Sequence, residues 1–149
     1  MIINRNEQIK KGDILEIYTD GAARGNPGPA AYAYILVKDG NIIKQNSEFI
    51  GNTTNNTAEY HAIINALKEA EKYTEWGIKI FSDSELVVRQ INKEYRIKKA
   101  HLSRLCNDVY SLVQKFEKVE FFHVERENKF IKISDKLCND CLDHQFGRS

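Results

Sequence analysis

The turn Lys38-Asp39-Gly40-Asn41 constrains the fold more than any other short segment of this chain. It joins two runs rich in branched and aromatic residues, 30–37 and 42–50. An Asp-Gly pair suits the centre of a two-residue hairpin, because both central positions need positive φ. Ahead of them, residues 13–20 alternate as a third strand, so an antiparallel meander opens the chain. Behind them the period changes. Residues 56–73 carry Ala62, Ile63, Ala66, Leu67 and Ala70 on one side and His61, Asn65, Lys68 and Lys72 on the other, the pattern of an amphipathic helix. A strand over 77–82, helices over 84–92 and 101–116, a strand over 119–124 and a helix over 134–145 follow, the last with Ser134 as its N-cap. Three strands followed by alternating units imply an α/β fold built on one mixed five-stranded sheet flanked by helices.

At 149 residues there is room for one domain, expected over 13–146 behind a short N-terminal leader, 1–12. A net charge of +1 gives no global basic field, although a local patch is enough to contact phosphates. The N-terminus has no apolar core of a secretory signal, and no run reaches the length of a membrane span. The cysteines, Cys106, Cys138 and Cys141, are odd in number, which fits reduced thiols. A cytoplasmic monomer with no membrane partner is therefore expected. Cys138 and Cys141 form a CxxC without a second pair, and they fit buried helix positions better than a zinc or redox site.

Several acids occupy unusual places. Asp20 and Asp83 each stand at the expected carboxyl end of a strand, where mixed sheets bind their ligands. Capping a turn or a helix would explain either one alone. Glu59 falls on the helical wheel with Ile63, Ala66 and Ala70, on the side turned to the sheet. A carboxylate there is costly unless something positive neutralises it, either a buried salt bridge or a hard divalent cation shared with Asp20 and Asp83. Asp135, expected in the first turn of the last helix, is either a fourth ligand or a complement to the helix dipole.

Three segments carry a family resemblance. Thr19-Asp20-Gly21-Ala22-Ala23-Arg24-Gly25-Asn26-Pro27-Gly28-Pro29 is similar to the TDG…GNPG opening of type 1 ribonucleases H. Thr53-Thr54-Asn55-Asn56-Thr57-Ala58-Glu59 resembles the family's TTNNxxE helix start, and Phe81-Ser82-Asp83-Ser84-Glu85-Leu86-Val87 its (S/T)DSxxV strand end. The resemblance implies an endonuclease that hydrolyses the RNA strand of RNA–DNA hybrids, leaving 5′-phosphate and 3′-hydroxyl ends. Asp20, Glu59, Asp83 and Asp135 would bind two Mg²⁺ ions, with Mn²⁺ as a substitute. No protein nucleophile is evident, since GxSxG and catalytic cysteine signatures are both absent.

Reading a 2′-hydroxyl calls for groups that both donate and accept, which suits Asn26, Asn55 and Asn56. The Gly21 amide serves the same approach to the sugar. By resemblance Asn26 and Asn55 lie along the minor groove, Glu85 lies near the RNA strand, and Thr54 with Asn55 holds a DNA phosphate. Loop and cap formation explains Thr53 to Asn56 equally well in isolation. The stretch 92–101 is short and resembles the subgroup without a basic handle; Arg89, Arg96, Lys98, Lys99 and Arg104 make a modest patch that solvated surface charge also explains. The segment 124–135 lacks the glycine–histidine loop of many relatives. There Glu127 is expected to be a mobile carboxylate beside the site, with His123 held inside the sheet. Other nucleases and integrases share such a fold, and a catalytically dead hybrid-binding module and a nucleotide-binding regulator are the remaining readings. The loop 21–28 lacks the GK[ST] ending that the last of these requires.

Overall fold

The meander extends further than its hydrophobic runs. The computed structural model describes residues 9–145. Strand β1 (Ile14–Ala23) continues past Asp20, which pairs with Ala33 inside the strand instead of ending it. Gly21, Ala22 and Ala23 have weak intrinsic strand preference, yet they pair with Tyr32, Ala31 and Ala30 of β2 (Gly28–Lys38). Tertiary pairing overrides propensity here. The hairpin into β3 (Asn41–Thr53) has the expected geometry, with φ of 51° at Asp39 and 79° at Gly40. β3 runs through Gly51, whose φ of 81° lies beside a register shift against β2, where the sequence pattern alone reads as a break.

Helix α1 (Asn55–Ala70) starts at Thr54, whose Oγ1 accepts from the Thr57 amide at 3.2 Å. β4 (Gly77–Ser82), α2 (Glu85–Ile91), α3 (Ala100–Val113) and β5 (Lys118–His123) follow near their expected places. The connection from α2 to α3 is short, as in a chain without a handle: the Glu94 and Tyr95 amides both turn back to the Arg89 carbonyl. Helix α4 (Lys129–Gln145) differs from expectation. Its cap is Asn128, whose Oδ1 accepts from the Phe130 and Ile131 amides at 2.9 and 3.2 Å. Ser134 is not an N-cap. It is buried inside the helix and donates to the carbonyls of Phe130 and Tyr18. Asp135 consequently lies in the second turn, not the first.

The sheet order is β3-β2-β1-β4-β5, antiparallel from β3 to β1 and parallel from β1 to β5. Alternation along β1 and β2 sends Leu15, Ile17, Tyr32, Tyr34 and Leu36 to one face, where α1 covers them and α3 packs in turn against α1. Tyr18, Ala31, Ala33, Ile35 and Val37 face the opposite way, against Ile131, Cys138 and Leu142 of α4. Ile9, from the expected leader, is buried in the first of these cores; residues 1–8 and the last residue assigned to the domain, Phe146, lie outside the described residues. Cys138 is buried as expected, its Sγ 3.2 Å from the Ala31 carbonyl, while Cys141 is half-buried, and neither is in a disulfide. Among the described residues no helix is long and apolar enough to cross a membrane.

Gly21 controls how close α1 comes to β1. A methyl group there would run into the backbone of Ala58 and Glu59, which cannot yield as a flexible side chain does. Gly21→Ala is expected to cost about 3 kcal/mol and to push the Glu59 segment away from the strand. Urea denaturation measures the first effect. A variant as stable as the wild type would mean that the helix is not held against this strand.

Candidate active site

Register brings the first two acids together. Thr19 pairs with Ser82 across the parallel β1–β4 ladder, so Asp20 and Asp83 occupy the next positions side by side. Asp83 stands between β4 and Ser84, the N-cap of α2, whose Oγ accepts from the Val87 amide. Glu59 comes from the second turn of α1, held there by the contact across Gly21. Each of the three offers a carboxylate oxygen within 4.8 Å of the other two. Asp20 and Glu59 are buried, at 6% and 8% exposure, and Asp83 is half-buried.

Burial and mutual repulsion set the electrostatics. Burial first, then the charges of Asp83 and Asp135, push the Asp20 carboxyl up to about 8. Burial, then Asp20 and Asp83, hold the Glu59 carboxyl well above the usual range, with the Gly21 amide and Arg126 opposing. Asp20 Oδ2 and Glu59 Oε1 are buried without a hydrogen-bond partner. Uncompensated carboxylate oxygens converging on one point are a poor apolar core and a good set of ligands for a hard divalent cation. The donor set therefore fits such an ion. Asp135 is exposed on α4, outside this cluster, and its charge is among those that raise the Asp20 carboxyl.

The expected substrate-reading residues gather at the same end of the sheet. Asn26 Oδ1 accepts from the Asn55 amide at 2.9 Å, and Asn55 Oδ1 accepts from the Ala23 amide at 2.7 Å. Both carbonyl oxygens thus tie the β1–β2 connection, which contains a cis Asn26–Pro27 peptide, to the start of α1. Both residues are exposed, and their NH₂ groups are the donors left over. Asn56 is half-buried beside them. The Thr54 hydroxyl is engaged as the helix cap and lies 2.8 Å from the Thr57 hydroxyl, itself 3.2 Å from His101 Nε2. Glu85 is exposed and paired with Arg89 at 3.0 Å.

Two features differ from the sequence reading. His123 pairs with Ser82 in the last position of β5, inside the sheet as expected, but it is exposed there; Glu127 is exposed in the turn that follows, as expected. Arg126, which the sequence reading did not single out, places its Nε 3.6 Å from Asp83 Oδ2. Nothing in the local pattern VERE separates this cation from ordinary surface charge. Only the fold shows it beside the carboxylates.

Together these features define a class: α/β proteins with a carboxylate cluster, suited to a divalent cation, where the parallel ladder of two central strands ends. A family model described as reverse transcriptase-like matches residues 18–141. The ribonuclease HI of Halobacterium salinarum is 36% identical over 137 residues, 91% of this chain and 68% of that protein. The crystal structure of RNase H1 from that archaeon matches with a TM-score of 0.84, over 88% of this chain and 98% of its own. LC11-RNase H1, solved in complex with an RNA/DNA hybrid, is 34% identical with a TM-score of 0.83, over 89% and 99%. A bifunctional protein of Mycobacterium tuberculosis is 32% identical over 129 residues, and the chain spans 35% of its length. This chain belongs to the ribonuclease H family, a family of metal-dependent nucleases, and its structural neighbours are type 1 enzymes.

The raised carboxyls make a stability prediction for the metal-free protein. Asp20 and Glu59 bind protons more tightly when folded than when unfolded. The Asp20 contribution is complete below about pH 4 and is lost as pH rises through about 8, and that of Glu59 is lost in the same direction. In a chelator, Asp20→Asn is expected to raise the melting temperature at pH 8 and to change it little at pH 4. Scanning calorimetry at both values checks this; a variant destabilised equally at both would mean that repulsion at Asp20 is not the source.

Proposed function

We propose that this protein hydrolyses the RNA strand of RNA–DNA hybrids by two-metal-ion catalysis, leaving 5′-phosphate and 3′-hydroxyl ends. One observation carries the reading: two buried carboxylates, Asp20 and Glu59, present unpartnered oxygens to the same point as Asp83. The hybrid bound by LC11-RNase H1 supports the choice of substrate. The catalytic unit is assigned to residues 13–146, and the proposed working state is a monomer in the cytoplasm.

Asp20, Glu59, Asp83 and Asp135 are the proposed ligands of two Mg²⁺ ions, with Mn²⁺ able to substitute. When bound, such ions supply positive charge for activating water and stabilising the leaving ribose oxygen. The chain itself orients the strand. The outward NH₂ groups of Asn26 and Asn55 are placed to donate to the sugar edge of the minor groove, because their own carbonyls are fixed to backbone amides. Asn56 and the Gly21 backbone complete that edge, Thr54 and Asn55 approach a phosphate of the DNA strand, and Glu85 approaches the RNA. Glu127, exposed in its turn, is the proposed mobile carboxylate beside the site.

The test is to incubate labelled RNA–DNA hybrid, RNA duplex and DNA duplex with Mg²⁺, and then with a chelator. The expected result is metal-dependent cleavage of RNA in the hybrid alone. Asp20→Asn, Glu59→Gln and Asp83→Asn are each expected to lose at least ~3 orders of magnitude in kcat while remaining folded. Wild-type turnover by any one of them would remove that residue from the site, and cleavage that survives the chelator would remove the metals. Asn26→Ala and Asn55→Ala are expected to act mainly on kcat/KM. Their effects should overlap with those of 2′-deoxy substitution beside the cut; full additivity would separate these side chains from the sugar.

A further inference from the structure

Asp135 differs from the other three acids in being exposed and lying outside their cluster. Its direction is nevertheless constrained. One turn further along α4, Asn139 Nδ2 donates to Asp135 Oδ1 at 3.3 Å and to the Asp135 carbonyl at 3.0 Å. On its other side Asn139 Oδ1 accepts from Arg24 Nη2 at 3.4 Å, and the same nitrogen donates to the Asn139 carbonyl at 3.3 Å. Arg24 Nη1 is in turn paired with Asp143 at 2.6 Å.

An amide between a guanidinium and a carboxylate has one favourable orientation, oxygen to the cation and NH₂ to the anion. The sequence guanidinium, amide, carboxylate is thus satisfied at each link. Arg24 is anchored by Asp143 and does not depend on Asp135 for its charge balance. The path also begins in a meaningful place. Arg24 belongs to the β1–β2 connection that carries Asn26, and Asn26 Oδ1 is bound to the start of α1. One short connection therefore reaches α1 through Asn26 and α4 through Arg24.

We propose that Asn139 and Arg24 are positioning residues that aim the Asp135 carboxylate at Asp20, coupling the fourth carboxylate to the loop that faces the substrate. This rests on the cation-dependent hydrolysis proposed above. A merely structural role, pinning the β1–β2 connection to α4, would lower thermal stability without acting through Asp135.

The experiment is a double-mutant cycle with two readouts, Mn²⁺ affinity by calorimetry and steady-state hybrid cleavage. Asn139→Ala is expected to weaken Mn²⁺ binding about tenfold and to lower kcat with little change in KM, the usual scale for removing a group that orients a metal ligand. In an Asp135→Asn background the same substitution is expected to change either quantity by less than about twofold, because the residue it acts through is already gone. Arg24→Ala enters the relay from its other end and should weaken Mn²⁺ similarly, with Arg24→Lys recovering only part, since one ammonium cannot reproduce the guanidinium fork. It also keeps the test open if Asn139→Ala does not fold. Additive effects of Asn139 and Asp135, or unchanged Mn²⁺ affinity in both Asn139→Ala and Arg24→Ala, would overturn the proposal while leaving hydrolysis intact. Coupled Mn²⁺ binding in a protein that leaves hybrid uncut would instead refute the hydrolysis reading alone.

Discussion

Like charge packed away from water is the constraint on which this arrangement depends. Asp20 and Glu59 are buried, Asp83 faces both, and burial alone is the largest influence raising the first two carboxyls. A core that tolerates this must be rigid enough to prevent the acids from swinging apart into solvent. Each is accordingly fixed by backbone: Asp20 within a central strand, Asp83 between a strand end and a helix cap, and Glu59 on a helix pressed against Gly21. A cation resolves the repulsion without requiring any of these elements to move.

The two faces of the sheet contribute differently. The α1 face is the larger core and supplies Glu59, whereas the α4 face holds Asp135 through a helix resting on small residues, Ala31 and Ala33. Between them the β1–β2 connection is held by side-chain carbonyls and a guanidinium instead of by apolar packing. Polar ties with exact donor and acceptor needs suit a segment that must keep some donors outward while remaining in one conformation.

Much of this was legible from periodicity and local chemistry. The hairpin at Asp39-Gly40, the apolar stripe of α1 and the strands leading to Asp20 and Asp83 follow from residue type and spacing, and Glu59 stood out because it interrupts an apolar stripe. The misreadings have identifiable causes. Gly21 to Ala23 join β1 through pairing with β2 that no local preference announces. Ser134 has the chemistry of a cap but uses its hydroxyl within the helix, and Asn128 caps from a segment without helical periodicity of its own. The exposure of His123 follows from its position at the end of a strand on the sheet's edge, which alternation cannot reveal. Arg24 and Asn139 are far apart in the chain, and their pairing becomes visible only when α4 docks.

The strand order has a consequence for how the molecule reaches its working form. The meander β1–β2–β3 joins neighbours in sequence, and its closing turn is encoded locally, so its contacts carry little loop-closure entropy. The parallel β1–β4 ladder joins distant segments and cannot form by hairpin zipping. Asp20 rides on the first kind of contact, and Asp83 reaches it only through the second. A nascent chain holding only its meander thus displays one acid and no cluster. Assembly of the full three-carboxylate cluster therefore coincides with closure of the topology: Asp83 joins Asp20 and Glu59 only when β4 docks beside β1.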